Sequence, residues 1–480
     1  MSARPATGTG ATPTMRPAAA RPAVRDRLAQ AGLATAALCT VLRLMLGGGA
    51  GWLTAAALGL AVFAAAAWPR VSPQARFFGA LAVPAAALVG LVASAPGPIL
   101  EGAVAQSTQF AALLAALATL RLPMRRSPLM GRAAASLLAA RPGLRHGAVL
   151  FGSHWLSLMF SFGVVPMMGE LLERAGLHVR SSPVARGMLA AVIRGLALTT
   201  AWSPMAISFA IVSSALPTLG VLPFVATGML AAALILGVEL VADHRGRPPT
   251  ESADPAASVP SDGRALALIL GMSVLLFLAT LLLHDATGWS FMACATLTIP
   301  ALSLAWALGQ STPPSATPGR RRGIRSALSH FFEVLTETRS EIFVFSSALF
   351  IGQAVLAVAR ALGLGDGAGL PGWLLPLLCL VSIPLVAALS VAPTIAVLIW
   401  AQVFAGTASA LAAPLTHALA LTLGWSLAIT VSPVSATLLL AGAMTGVPPR
   451  EIALGWNLGF VLRSAVVAGL LLAGLYRLGC

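Results

Sequence analysis

Leu196–Ser203 reads LALTTAWS and Leu419–Ser426 reads LALTLGWS, and six of the eight positions match. Each octapeptide is followed by Ala-Ile and a hydroxyl residue, Ser208 in the first case and Thr430 in the second. Each lies in an apolar stretch of about 30 residues that also carries a Ser-Pro step, Ser203-Pro204 and Ser432-Pro433. Proline removes an amide donor and disfavours helix in the residue before it, so both stretches are expected to be helices broken partway along. Ala and Leu recur by composition alone, but the chain has only ten Trp, and two matched Trp-Ser pairs point to an internal duplication.

The surroundings of these stretches identify the solvent. Of the 480 residues 58% are hydrophobic and 9% charged, with a mean hydropathy of +0.89, whereas soluble domains carry about 25% charged residues. Runs of about 20 apolar residues, enough to cross a hydrocarbon core, recur from Leu28 to Cys480. All thirty basic residues are Arg, and the net charge is +15. These Arg gather in the loops between apolar runs, as the positive-inside rule expects of cytoplasmic segments, and they form no continuous basic face, which excludes nucleic acid as a partner. Cys39, Cys294, Cys379 and Cys480 are far apart and show no metal spacing, so neither a metal nor a cofactor is expected.

Five Arg precede Leu28 and place the N-terminus in the cytoplasm of a cell whose inner membrane the chain crosses many times. Residues 1–27 form an expected disordered tail, and 28–50 an extra first helix. The first half, 51–242, holds spans at 51–68, 77–95 and 103–120, with 96–102 as an outer loop. Arg-rich loops lie on both sides of the apolar run 146–168, so that run must return to the side it left. A re-entrant hairpin over about 145–178 follows, turning at Ser161, Phe162 and Gly163, with its backbone shielded by protein. The broken helix 188–217 and a span at 221–242 complete this half. A polar, Pro-rich linker, 243–263, divides the chain. The second half, 264–480, has spans at 264–284, 288–308 and 341–362, and a hairpin over 372–412 turning at Ser390–Pro393, for which two full spans are the alternative that length alone leaves open. The broken helix 417–446 and a last span at 451–476 end it. The expectation is therefore an all-α integral membrane protein of about eleven transmembrane helices and two re-entrant hairpins.

On this threading the first broken helix runs outward and the second inward, which makes the halves inverted repeats, a plan common among secondary transporters. Where a helix breaks inside a bilayer its last carbonyls and first amides lose partners and become available to ions. The arrangement of five spans plus a hairpin, repeated upside down after one extra helix and with Ser-Pro breaks, resembles the ion transporter superfamily of citrate, dicarboxylate and arsenite carriers. The resemblance covers residues 51–476. It implies an elevator-type carrier, often a homodimer, with solute and coupling ion held between hairpin tips and broken helices. On this chain those positions are Ser161 and Gly163 at the first tip, Ser390 and Thr394 at the second, and the breaks at Trp202, Ser203, Pro204 and at Thr430, Ser432, Pro433, Ser435. The Ser-Asn-Thr motifs that bind sodium in the dicarboxylate branch are absent, and Asn457 is the only Asn. The coupling ion, proton or sodium, stays open.

Ionisable residues within spans are functional candidates because burying charge in hydrocarbon costs at least about 2.5 kcal/mol. Arg194 and Arg463 are read as candidate anion-binding groups and His154 as a candidate proton carrier, against the blander readings of snorkelling and packing. Asn457 either joins a polar network at the second break or bridges two helices. The function expected is secondary active transport of a small, anionic solute, with the lipid bilayer as the other partner. The alternatives are the membrane subunit of a binding-protein-dependent uptake system and, less well supported, an enzyme acting on lipid-linked substrates, for which no gathered acid or base residues are evident.

Overall fold

The computed structural model describes residues 24–245, 262–310, 334–363, 370–405 and 407–480. Residues 1–23 of the expected tail, most of the linker 243–263 and the Arg320–Arg325 loop lie outside the described residues. Among those described, every regular element is helical, and the chain is an all-α, multi-pass membrane protein.

Five helices form the first block: α1 Val24–Met45, α2 Ala50–Ala67, α3 Pro73–Val92, α4 Pro96–Arg126 and α5 Pro128–Leu138. A hairpin follows, α6 Pro142–Phe160 and α7 Val164–Arg174, then α8 Pro183–Thr199, α9 Ile207–Ala215 and α10 Val221–Arg245. The second half has α11 Gly263–Thr287, α12 Phe291–Gln310, α13 Arg339–Ala361, α14 Leu374–Ala388, α15 Pro393–Ala405 and the short α16 Ala408–Ala412. It closes with α17 Pro414–Val431, α18 Ala436–Thr445, a π-helical turn Glu451–Trp456 and α19 Leu458–Arg477. Local chemistry sets many of these ends. Ser72, Ser127 and Ser182 each accept a backbone N–H at the start of a helix with Pro in its first turn, and Asp262 does the same for α11. Gly288 and Gly446 close α11 and α18 in the left-handed conformation.

Among the described residues, ten helical segments are long and apolar enough to cross a membrane. The expected eleventh, 188–217, is divided by its break into α8 and α9, neither of which reaches that length alone. Two expected loops are corrected. Residues 96–102 are the first turns of α4, because Pro96 and Pro98 are tolerated in an opening turn. The Arg-rich 121–145 segment contains α5, an amphipathic helix whose Met130, Ala133, Ala134, Leu137 and Leu138 are buried.

Two groups of helices emerge from the packing. Helices α1, α2, α3, α4, α12 and α13 pack among themselves, while α6 lies on α8 and α14, α15 and α19 lie on α17. The halves interlock within the second group: α7 meets α18, α15 meets α9, and α8 meets α17. Gly195 makes the α6–α8 approach possible, since a Cβ there would stand 3.0 Å from the His154 amide nitrogen. A cavity of about 270 Å³ lies between α2, α3, α4 and α13, lined by apolar side chains together with Ser107, Ser346 and Ser347. It belongs to the first group of helices and not to the breaks.

Candidate functional site

Both breaks occur where the Ser-Pro steps place them. Between α8 and α9 residues 200–206 leave the helix, and between α17 and α18 residues 432–435 do so. The repeated octapeptides, however, do not occupy equivalent places. Trp202 and Ser203 lie in the first break, whereas Trp425 and Ser426 are inside unbroken α17, six residues before Ser432. Proline decides where the backbone departs from helix, and the Trp-Ser pair does not.

At the first break the liberated carbonyls are taken up by hydroxyls. Ser208 Oγ donates to Thr200 O at 2.6 Å, and Thr422 Oγ1 of α17 donates to Ala201 O at 2.9 Å. The Thr200 and Ser426 hydroxyls are in hydrogen-bond contact at 2.8 Å, so the first break is seated directly on the second broken helix. Ser203 and Pro204 are buried, and the Ser203 amide and carbonyl bond Thr199 O and Ala206 N–H. Trp202 Nε1 donates to His154 Nε2 at 2.9 Å. An indole nitrogen can only donate, so Nε2 must be the unprotonated nitrogen and Nδ1 carries the hydrogen, which it gives to Gly195 O at 3.0 Å. Thr199 Oγ1 closes this knot by donating to His154 O at 2.7 Å. In this arrangement His154 is a neutral, doubly bonded residue that holds the first hairpin arm against the break.

The second break is less completely satisfied. Ser435 accepts the Leu438 N–H, capping α18, and donates to Ile429 O at 2.9 Å. Thr430 Oγ1 donates to Leu427 O at 2.7 Å, and Pro433 is half-buried. The Ser432 and Thr437 hydroxyls, both in residues with no exposed surface, have no hydrogen-bond partner, and neither has that of Ser153 in α6. Buried polar groups are nearly always paired, so these three hydroxyls hold bonding capacity to spare, as does Ser346 Oγ in the cavity between α2, α3, α4 and α13. Thr437 and Ser153 were not among the residues expected from the sequence. The only sequence signal for Thr437 is the spacing of hydroxyls at 432, 435 and 437.

The two hairpin tips share a conformational signature. Among the described residues the only non-glycine residues with positive φ are Ser161, at 49°, and Ser390, at 69°. Both are exposed, Gly163 ends the first turn, and Thr394 is half-buried in the opening turn of α15. Strained backbone of this kind is concentrated at ligand clamps and switch regions.

Arg194, Arg463 and Asn457 assemble away from the breaks, around a carboxylate that sequence reasoning overlooked. Glu239 of α10, 1% exposed, receives Arg194 Nη1 at 2.6 Å and Arg463 Nη2 at 2.7 Å. Arg194 also donates to Asn457 Oδ1 at 3.1 Å and to Trp456 O at 2.7 Å, and its guanidinium stands over the Phe460 ring. Asn457 Nδ2 donates to Ile452 O, so this residue links the π-helical turn to α8 and does not reach the second break. Arg194 does not snorkel: it is buried and held on several sides. His417 of α17 is fully buried against Ser409 and Ala413 O. No cluster of three or more potential metal ligands is present among the described residues.

Comparison with known proteins yields no matching family model and no matching curated protein. Among solved structures, the chain is similar to the crystal structure of the Alcanivorax borkumensis YdaH transporter, described as having an unusual topology. The TM-score is 0.50 at 18% sequence identity, over 84% of this chain and 97% of that one. At this identity the likeness is one of fold.

Proposed function

We propose that this chain is a secondary active transporter for a small anionic solute, working by elevator-type alternating access, in the manner of the ion transporter superfamily. In this reading the hairpins α6–α7 and α14–α15, with the broken helices, form the moving body, and α1–α4 with α11–α13 form the scaffold. The observation that carries the reading is the second break, where Ser432 and Thr437 hold buried hydroxyls without partners beside a helix interrupted within a span. Main-chain groups left bare at that depth are the usual material of a solute or ion site. The fold shared with a transporter supports the same class of activity.

The test is a flux and thermal-shift screen of the purified protein in vesicles against carboxylates, sulfonates, oxyanions and amino acids, with sodium or proton gradients. A solute that is carried should lose affinity in Ser432→Ala and in Ser203→Ala. Unchanged affinity and flux in both variants would move the site away from the breaks.

A further inference from the structure

Glu239 binds two arginines but is not the end of the network. One helical turn further along α10, Asp243 Oδ2 lies 3.3 Å from the same Arg194 Nη1 that Glu239 holds, and 2.6 Å from His146 Nε2 of α6. A continuous chain of polar contacts therefore runs from Asp243, whose side chain is 22% exposed, through Arg194 to buried Glu239 and on to Arg463.

The two arginines differ in how far they are committed. Arg194 uses all three of its nitrogens, on Asn457, Glu239, Asp243 and Trp456 O. Arg463 directs only Nε and Nη2 at Glu239, while its side chain is 42% exposed. Its Nη1 extends back along α19, 3.2 Å from where a Cβ on Gly459 would stand. Arg463 is thus the member of the cluster that an outside anion can reach. Such an anion would sit close to Glu239 and bring further negative charge into a medium that solvates charge poorly.

We propose that Arg463 and the Glu239–Asp243 pair form a coupled site that takes one anion and one proton together. The proposal rests on the reading of the chain as an anion carrier and deepens it by naming the coupling ion and the residues that hold it. The anion takes the Arg463 guanidinium from Glu239. Glu239, released by Arg463, accepts one proton on a carboxylate oxygen, delivered from the side of Asp243. No other covalent bond changes, and the proton offsets one unit of the charge that the anion brings. The groups that bond this carboxylate pair include Arg194 of α8, Arg463 of α19 and His146 of α6, with Asn457 held through Arg194. Intramembrane carboxylates arranged in this way serve as proton sites in carriers.

The full chain in vesicles is tested with acetate, succinate, sulfate and methanesulfonate above about pH 7, where these anions are essentially ionised. Binding and proton uptake are measured together, the latter with a pH dye in weak buffer. The wild-type protein should bind at least one of these anions with affinity rising toward about tenfold per pH unit of acidification and with one proton taken up per anion, as linkage requires. Glu239→Gln should bind the same anion with less than about a twofold change over that range, take up no proton, and catalyse exchange without accumulation in a pH gradient. Should Glu239→Gln fail to fold, the wild-type proton count decides, with Asp243→Asn expected to lower it. Anion binding without proton uptake in the wild type, or pH dependence retained in Glu239→Gln, would overturn the coupled site and leave the anion carrier standing. Failure of the wild type to bind any of the anions would remove both.

Discussion

Replacing the tip serines by glycine should make the protein more stable and less active at once. Ser161 adopts φ 49° and ψ −130°, and Ser390 adopts φ 69°, regions where a Cβ is disfavoured. Holding a non-glycine residue in such a conformation costs about 1–3 kcal/mol. Glycine relieves that strain, but its freer unfolded chain costs about 0.5–1 kcal/mol. The net gain is about 1 kcal/mol at each tip. The two serines belong to different hairpins, so the gains should add to about 2 kcal/mol in the double variant. Alanine is the control, because Ser161→Ala and Ser390→Ala keep the Cβ and with it the strain.

Thermal unfolding of the purified protein reads the first half of this prediction, and solute flux in vesicles reads the second. The double glycine variant should melt a few degrees above wild type, on the scale of about 2–4 °C per kcal/mol seen for domains of moderate size. Flux should fall, because a tip that no longer has a single enforced geometry clamps its solute less well. The alanine variants should melt with the wild type. A double glycine variant that melts at or below the wild type would refute stored strain at the tips, and one that is more stable but transports normally would refute their role as clamps.

Two further substitutions probe the first break. A Cβ at Gly228 of α10 would stand 2.6 Å from Trp202 Cβ and 3.0 Å from Ala201 O, so Gly228→Ala should displace the break and lower both stability and flux, measured by thermal unfolding and uptake. Trp202→Phe keeps an aromatic ring but leaves His154 Nε2 without a donor, and unfolding should show a loss of about 1–3 kcal/mol, the cost of one buried unsatisfied group. An unchanged midpoint would mean that His154 finds another partner or that its ring turns over.

The parts of this structure that could be read from the sequence are those fixed by one residue's covalent chemistry. Pro204 and Pro433 have no amide hydrogen, and both breaks fall at them. The Ser-Phe-Gly and Ser-Val-Ala-Pro runs locate both tips to the residue. The Trp-Ser repeat misled because nothing in a Trp-Ser pair constrains φ or ψ, and it is found once in a break and once in an intact helix. Helix α5 is hidden by Arg132 and by the arginines that flank it at 121–126 and 141–145, whose charge suggests a loop although the apolar residues between them keep helical spacing. Least legible was the charge cluster. Glu239 meets Arg194 across 45 residues and Arg463 across 224, and no periodicity connects positions so far apart.

The same distinction separates the two breaks, although both begin with Ser-Pro. At the first, Ser208 and Thr422 are positioned to bond the carbonyls that the break releases, and Thr422 comes from the other half of the chain. At the second, Ser435 takes Ile429 O, but the Ser432 and Thr437 hydroxyls meet no such partner. A Ser-Pro step therefore specifies that polar groups will be released and not what will satisfy them. That depends on which helix is brought alongside, and here α8 is seated on α17 in a way that completes the first break. The second break keeps two buried hydroxyls without a protein partner, and a group that bonds them recovers the free energy of their burial. If one of the two breaks binds the solute more strongly, it should be the second.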